Sequence, residues 1–326
     1  MRSGQASAPS GGDDSPTGTC VRSGGAIPGR DESPAWRLTT REPSALPVLI
    51  AVPHAGRLYP PALIERMRNP EFAAARLEDR HADRLGELVA RQTGAGLLVA
   101  DAPRAMIDLN RAPDDVDWDM FAQRGAGEPM GCAPGRRARS GLGLIPRRLP
   151  GLGELWKRRH DAGELEARIA GVHDPYHAVL AEALAGLRAR WGTALLIDLH
   201  SMPPLPVRGG QQPVHVVVGD RFGASCHGRL VAATFAHFAR ARITAAHNRP
   251  YAGGYVLERH GVPEAGLNAI QIEVDRACYL DSRLDQPGDG LAAMAGALAG
   301  LVRVLAAEVV GLGSMEPPPE WAEAAE

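Results

Sequence analysis

Thr193-Ala-Leu-Leu-Ile-Asp198-Leu-His200-Ser201 is the stretch that decides the fold. Its apolar side chains follow one another without polar alternation, which suits a strand buried on both faces. Strands of that kind belong to sheets covered by helices on both sides. The polar residues arrive where the apolar run ends, and in open α/β sheets ligands bind outside the carboxyl ends of the strands. Asp198 and His200 are two apart, so on a strand they share a face.

The neighbouring segments fit the same architecture. Short apolar runs at 47–52, 96–100, 105–109, 214–218 and 267–274 read as further strands. Between them, helical apolar spacing covers 71–92, with Phe72, Leu77, Leu85, Leu88 and Val89 on one side and Gly94 as a stop. Segments 162–190, 225–242 and 288–310 also read as helices, with Pro175 expected to interrupt or restart the first. Strands alternating with helices predict an α/β fold, a three-layer αβα sandwich on a mixed, mostly parallel sheet.

Composition narrows the class. The 326 residues are 44% hydrophobic and 23% charged, a globular mix. The apolar run at 45–52 is far shorter than the ~20 residues a membrane span requires, so a soluble protein with no membrane partner is expected. The formal net charge of −2 provides no global field for nucleic acid. Lys157 is the only lysine, so a lone arginine carries little information here. Cys20, Cys132, Cys226 and Cys278 form no Cys-x-x-Cys pair, which fits a reducing cytoplasm. The polar start lacks the apolar stretch of a signal peptide. Residues 1–43, rich in Gly, Ser and Pro, read as a disordered tail. Residues 44–313 read as a single domain and 314–326 as a flexible acidic tail.

Two histidines stand just past apolar runs, His54 in Val52-Pro-His54-Ala-Gly56 and His200 in the opening stretch. With a carboxylate from Glu78-Asp79-Arg80-His81-Ala82-Asp83 they make a His₂-carboxylate set, the ligands of a hydrolytic zinc site with an open position. Asp198 could hold the His200 imidazole from behind or compete as a ligand. The plainer reading is a hydrogen-bonded histidine at each strand end and a solvated helix face at 78–83. Likewise Gln271, Glu273 and Asp275 share one strand face that alternation alone would assign to solvent. Patterns alone therefore support an α/β protein, with hydrolase as one reading.

Eight blocks in order carry a resemblance. They are Val52-Pro-His54-Ala-Gly-Arg-Leu-Tyr-Pro, Glu78-Asp79-Arg-His81-Ala-Asp-Arg, Ile107-Asp108-Leu-Asn110-Arg111 and Ser140-Gly-Leu-Gly-Leu-Ile-Pro-Arg147. Then follow Asp174-Pro-Tyr176-His177, Ile197-Asp198-Leu-His200-Ser-Met-Pro-Pro, His247-Asn-Arg-Pro-Tyr-Ala-Gly253-Gly254 and Ala269-Ile-Gln-Ile-Glu273-Val-Asp-Arg276. In these blocks the sequence resembles the N-formylglutamate amidohydrolase family, relatives of the zinc carboxypeptidase fold, from about Leu46 to Asp281. The resemblance implies a Zn2+-dependent amidohydrolase acting on a small anionic N-acyl amino acid. Its implied products from N-formyl-L-glutamate are formate and glutamate.

By the same resemblance His54 and His200 match the metal histidines, and the second block supplies the third ligand, placed at Asp79 with Glu78, His81 and Asp83 close by. A zinc carboxypeptidase would have a carboxylate three residues after its first histidine, where this chain has Arg57. Glu273 is implied as the catalytic acid/base. Asn110 and Arg111 are implied as the grip on the substrate carboxylate, a role suited to the planar guanidinium fork. Arg104, Arg249 and Arg276 are reserves for a second carboxylate, and His247 and Asn248 begin a loop near the substrate. Tyr176 is expected to pack in the core. Nine basic residues in 124–159 face only Glu128 and Glu154, which fits a lid that draws in anions or a solvated loop. Nucleic-acid contact there is disfavoured, since Trp156 is its one aromatic. Alternatives are a zinc exopeptidase or a broader N-acylamino-acid deacylase, or a catalytically silent binder of anions.

Overall fold

Along Ala194–Met202 and Leu267–Asp275 every second side chain is aliphatic and the others are polar or small towards the carboxyl end, yet nearly all of both strands is buried. The structure is a computed structural model and describes residues 18–30, 32–122, 135–207, 209–210 and 212–313. In chain order the elements are β1 (Gly18–Gly24), β2 (Trp36–Glu42), β3 (Val48–Val52), α1 (Pro61–Arg66), α2 (Pro70–Leu77), α3 (Ala82–Thr93) and β4 (Gly96–Ala100). There follow α4 (Arg136–Arg139), the small hairpin β5 (Arg148–Leu149) and β6 (Gly153–Glu154), α5 (Ala162–Arg168), α6 (Asp174–Trp191) and β7 (Ala194–Met202). The rest are β8 (Val216–Gly219), α7 (Gly228–Arg240), β9 (Ala245–His247), α8 (Tyr255–His260), β10 (Leu267–Asp275) and α9 (Leu291–Gly313).

The main sheet runs β1-β2-β4-β3-β7-β10-β8-β9. Pairing is parallel from β4 through β3 and β7 to β10 and again between β8 and β9, and antiparallel elsewhere. This is the expected mixed, mostly parallel α/β architecture. One face carries Val48, Ile50, Val52, Leu195, Ile197, Leu199, Ile270, Ile272 and Val274 against α3, α7 and α9. The other carries Leu49, Ala51, Ala194, Leu196 and Ala269 against α6 and α8. On this second face Asp198, His200, Gln271 and Glu273 continue the series, because side chains alternate along each strand. Gln271, Glu273 and Asp275 are 3%, 8% and 5% exposed, so the face that alternation assigned to solvent is enclosed. β10 lies between β7 and β8, and a strand flanked on both sides and roofed by helices has no wet face.

Residues 18–43 correct the expectation of a disordered tail. β1 and β2 extend the sheet antiparallel beyond β4, and Ile27, Ala35, Trp36 and Leu38 are buried in the core. Averaged composition hid these few apolar residues among Gly, Ser and Pro. Residues 1–17, the acidic tail 314–326 and the first part of the basic stretch, 123–134, lie outside the described residues.

Two further expectations change. The run 105–109 is not a strand: its backbone turns, with Met106 N–H donating to Pro103 and Asp108 N–H to Leu144, while Ala105, Met106, Ile107 and Leu109 are buried. Its apolar character reported burial only. The single helix at 71–92 is two, α2 and α3, parted by a turn at 78–81 in which Asp79 N–H donates to the His54 carbonyl at 2.9 Å. Pro175 restarts the helix, as expected, standing in the first turn of α6. A π-turn, Ile169–His173, joins α5 to α6, and the Gly171 carbonyl, which Pro175 has no N–H to serve, accepts from Ala26 N–H at 2.8 Å. A Cβ on Gly171 would stand 2.6 Å from the Ala26 carbonyl oxygen, so the approach requires glycine.

α9 is long and apolar enough to cross a membrane by length and composition, with mean hydropathy 1.8. It lies instead along α3 and α7, burying Met294, Leu298, Leu301, Val302, Leu305 and Val309. Its hydrophobicity is that of a core helix.

Trp36→Ala separates an integrated β2 from a tail. Removing a buried aromatic costs about 3–5 kcal/mol, so the urea midpoint should fall clearly, whereas a tail residue would leave it unchanged.

Candidate active site

The parallel ends of β3 and β7 bring His54 and His200 together, with ring centroids 4.8 Å apart and nearly edge-on. Each imidazole is held from behind. His54 Nε2 lies 2.7 Å from Asp108 Oδ1, and His200 Nε2 lies 2.9 Å from Asp198 Oδ2. A carboxylate accepts and does not donate, so each Nε2–H donates to its carboxylate and Nδ1 is the nitrogen turned inward. Both Nδ1 atoms face Asp79 Oδ2, at 2.9 Å from His200 and 3.7 Å from His54. His54 Nδ1 is buried with no hydrogen-bond partner.

This donor set fits a metal ion. His54, Asp79 and His200 offer ligand atoms that all lie within 4.8 Å of one another, and tetrahedral ligands at zinc distances lie about 3.3 Å apart. The orphaned His54 Nδ1 has the geometry of a ligand atom and no other use. The turn between α2 and α3 brings Asp79 to the imidazoles and leaves its neighbours elsewhere. Glu78 faces Arg80, Asp83 bonds Arg57 at 2.5 Å, and His81 starts α3 in a left-handed conformation.

Electrostatics favour a cation at the centre. Asp79, Asp108, Asp198 and Glu273 are all buried, with Arg104 and Arg276 beside them. Burial opposes charge on Asp79, but the hydrogen bond from His200 and the nearby His54 ring outweigh it and hold the carboxylate well below the usual range. Asp108 is likewise held low against burial by Arg104 and His54. Between Asp198 and Asp79, His200 is held well above its ordinary value in spite of burial. Glu273 differs: burial pushes it up to about 7, with Asp79 and Asp198 reinforcing and His200 and Arg104 opposing. It stands directly across from His200 in the β7–β10 register.

The implied substrate grips are partly engaged already. Arg104 grips Asp108 through Nε and Nη2, each at 2.9 Å. Arg276 donates to Ser201 Oγ and to the carbonyls of Ala75 and Glu78, with Asp79 Oδ1 at 3.6 Å, so it shapes the turn that presents Asp79. Arg111 uses Nε on the Leu142 carbonyl and Nη1 on its neighbour Asn110; burial and the charges of Arg104 and Arg137 lower its pKa. Asn110 Oδ1 accepts from Val256 N–H at 2.9 Å, and a Cβ on Gly254 would fall 2.5 Å from that oxygen. His247 and Asn248 both turn to Asp220, at 3.1 and 2.7 Å. Tyr176 is fully buried in the core, as expected.

Sequence reasoning passed over two residues. Gln271 donates to Glu273 Oε1 at 2.8 Å, and its position two before Glu273 was the available signal. Tyr251 has its phenol raised by burial and by the charges of Glu273 and Asp79, with Arg104 and Arg276 opposing, so it sits within electrostatic reach of the centre. It stands in a quoted block, but nothing in its spacing marked it. The loop around it borders a cleft of about 1320 Å³ lined by Arg137, Leu205, Phe222, Asn248, Arg249 and Gly253, among others. Gly253 precedes the Gly254 that packs on Asn110, while His54, Asp79, His200 and Glu273 do not line the cleft.

Two braced imidazoles and a carboxylate at the strand ends of an α/β sandwich, beside an enclosed glutamate, have the form of a metal-assisted hydrolase. The N-formylglutamate amidohydrolase family model matches residues 46–280, and the chain belongs to that family. It is 32% identical over 241 residues to the N-formylglutamate deformylase of Pseudomonas aeruginosa, covering 73% of this chain and 84% of that protein. It is 29% identical over 254 residues to that of Pseudomonas putida, covering 72% and 82%. The crystal structure of N-formylglutamate amidohydrolase from Ralstonia eutropha JMP134 is similar with a TM-score of 0.72 and 30% identity, over 90% of this chain and 99% of that one.

Behind Asn110, burial pushes His177 down to about 2 and His260 down to about 4, with Arg259 adding to both. Both are neutral in the fold, whereas in the unfolded chain they titrate near ~6.5. The unfolded state therefore takes up protons first as pH falls below that value, and folding stability declines from there towards pH 4. Each histidine should cost about 1–2 kcal/mol between pH 7 and 5. Urea titrations at the two pH values, on wild type and on His260→Gln, should show the wild type losing more.

Proposed function

We propose that the protein is a zinc-dependent amidohydrolase that cleaves the amide of an N-formyl amino acid, N-formyl-L-glutamate above others, to formate and the free amino acid. The observation that carries this reading is the pair of imidazoles, each with its proton tied to a carboxylate at Nε2 and its Nδ1 turned to Asp79. The names of the relatives support the choice of substrate.

His54, Asp79 and His200 would hold the ion. When bound, zinc polarises an acyl carbonyl and lowers the pKa of water towards ~7. Asp108 and Asp198 hold both rings from behind with Nδ1 turned to that task. Glu273, with a pKa of about 7, is matched to taking a proton from the attacking water and returning it to the departing nitrogen. Gln271 fixes which Glu273 oxygen is engaged and leaves the other to the reaction. Arg111 lies among like charges from Arg104 and Arg137, and a substrate carboxylate would relieve that repulsion while fixing the amide in place. Arg249, on the wall of the cleft, is suited to a second carboxylate. The free thiols of Cys20, Cys226 and Cys278 fit work in a reducing cytoplasm.

Elemental analysis of the purified protein should find about one zinc per chain, and His200→Ala should lose both the metal and N-formylglutamate hydrolysis while remaining folded. Full turnover by metal-free His200→Ala would end the zinc reading, and anion binding indifferent to chelator without turnover would favour a silent binding protein. Glu273→Gln should keep its zinc and KM while kcat falls about 10²–10⁴-fold. Wild-type kcat in that variant would remove Glu273 from the chemistry.

A further inference from the structure

Three buried histidines take no part in the reaction proposed above. His177 Nε2 lies 3.0 Å from the Leu109 carbonyl, and His173 Nε2 lies 3.0 Å from the Arg111 carbonyl. The two acceptors flank Asn110. Both rings project from one side of the α5–α6 junction, since His173 ends the π-turn and His177 follows four residues later. His177 Nδ1 lies 3.0 Å from His260 Nε2, with the rings stacked at 13°. Carbonyl oxygens only accept, so His177 carries its proton at Nε2 and its Nδ1 must accept from His260. A neutral ring has one N–H, which leaves one tautomer for His177 and for His260; in His173 the 3.0 Å bond to the Arg111 carbonyl takes the proton over the Asp174 carboxylate, 3.5 Å from Nδ1.

Beyond Asn110 the polarity is equally determined. Asn110 Oδ1 is occupied by Val256 N–H, so its Nδ2 is the donor. That nitrogen lies 3.4 Å from Gln271 Oε1, which turns Gln271 Nε2 towards Glu273 Oε1 at 2.8 Å. His200 Nε2 is also 3.5 Å from Asn110 Nδ2, but its proton is committed to Asp198, so this is a contact between two donors. α8 ties the ends together, supplying both Val256 N–H and His260.

We propose that His173 and His177 are positioning residues that clamp the backbone on either side of Asn110 and thereby orient the Asn110–Gln271–Glu273 chain. Neutral imidazoles suit this role because each carries a single N–H donor, so each ring can donate to only one carbonyl. The clamp acts on Glu273 and so rests on its proposed acid/base role.

His177→Leu removes the clamp with little change in volume. In the zinc-loaded full chain it should lower kcat about 10–100-fold, the usual effect of an outer hydrogen-bond partner, with KM within about threefold. Zinc content should be unchanged. His177→Gln, which restores an Nε2 donor, should recover most of the loss. Gln271→Met should lose kcat to a similar degree, and the double variant should be no worse than the poorer single one. Wild-type kcat in either folded single variant, or losses that multiply in the double, would overturn the proposal. If His177→Leu does not fold, Gln271→Met and His173→Leu carry the same test. Histidine ¹⁵N NMR of the chelated wild type at pH 6 should show neutral Nε2–H tautomers for His173 and His177, and a protonated ring there would also overturn it. Glu273→Gln separates the two readings. If that variant turns over normally, the acid/base role fails, while non-additivity of His177→Leu and Gln271→Met in urea unfolding still reports whether the clamp exists.

Discussion

The register between β7 and β10 is the constraint on which the site depends. It sets Asp198 beside Gln271 and His200 beside Glu273, four polar side chains in a block on one face of a sheet whose other face packs mainly aliphatic side chains. A slip of one residue would turn Ile197, Leu199 and Ile272 to the polar side and push the carboxylates under α9. The hydrophobic packing of α3, α7 and α9 therefore resists any loss of alignment in the histidines. Stability and chemistry are served by opposite faces of the same strands.

With that block in place, the remaining groups act as backing. Asp108, Asp198 and Gln271 each hold an atom that would otherwise rotate, and Arg104 and Arg276 hold the holders. Several residues that resemble ligand grips in the sequence are committed to this internal scaffold, which explains why so many charged groups can be buried together. In this cluster Asp79, Asp108, Asp198 and Glu273 each have a named partner, and the one polar nitrogen of the imidazole pair without a partner is the one turned to the centre.

Much of this was legible in the sequence, for identifiable reasons. Apolar runs without alternation located β3, β4, β7 and β8, since burial on both faces leaves a direct signature, and period-two alternation located β10. The order of short motifs pointed to His54, Asp79 and His200, which the fold does bring together. What failed shared one cause: apolar residues report burial, not backbone conformation. The run at 105–109 is buried but turning, and Trp36 and Ile27 were too sparse to register against a Gly- and Ser-rich background. Side-chain direction was also out of reach. Whether Gln271 and Glu273 faced water or protein depended on neighbours that no local spacing reveals, and Arg276 could not be told from a free arginine until its carbonyl partners were known.

α9 has a consequence for how the chain is made. Its partner α3 is synthesised some two hundred residues before it. Until α9 is made and docks, the apolar side of α3 that it covers stands open on the nascent chain. Domains built from such distant pairings fold late and slowly. The protein is thus exposed to aggregation through most of its translation, and its protection comes from the last helix to be made among the described residues.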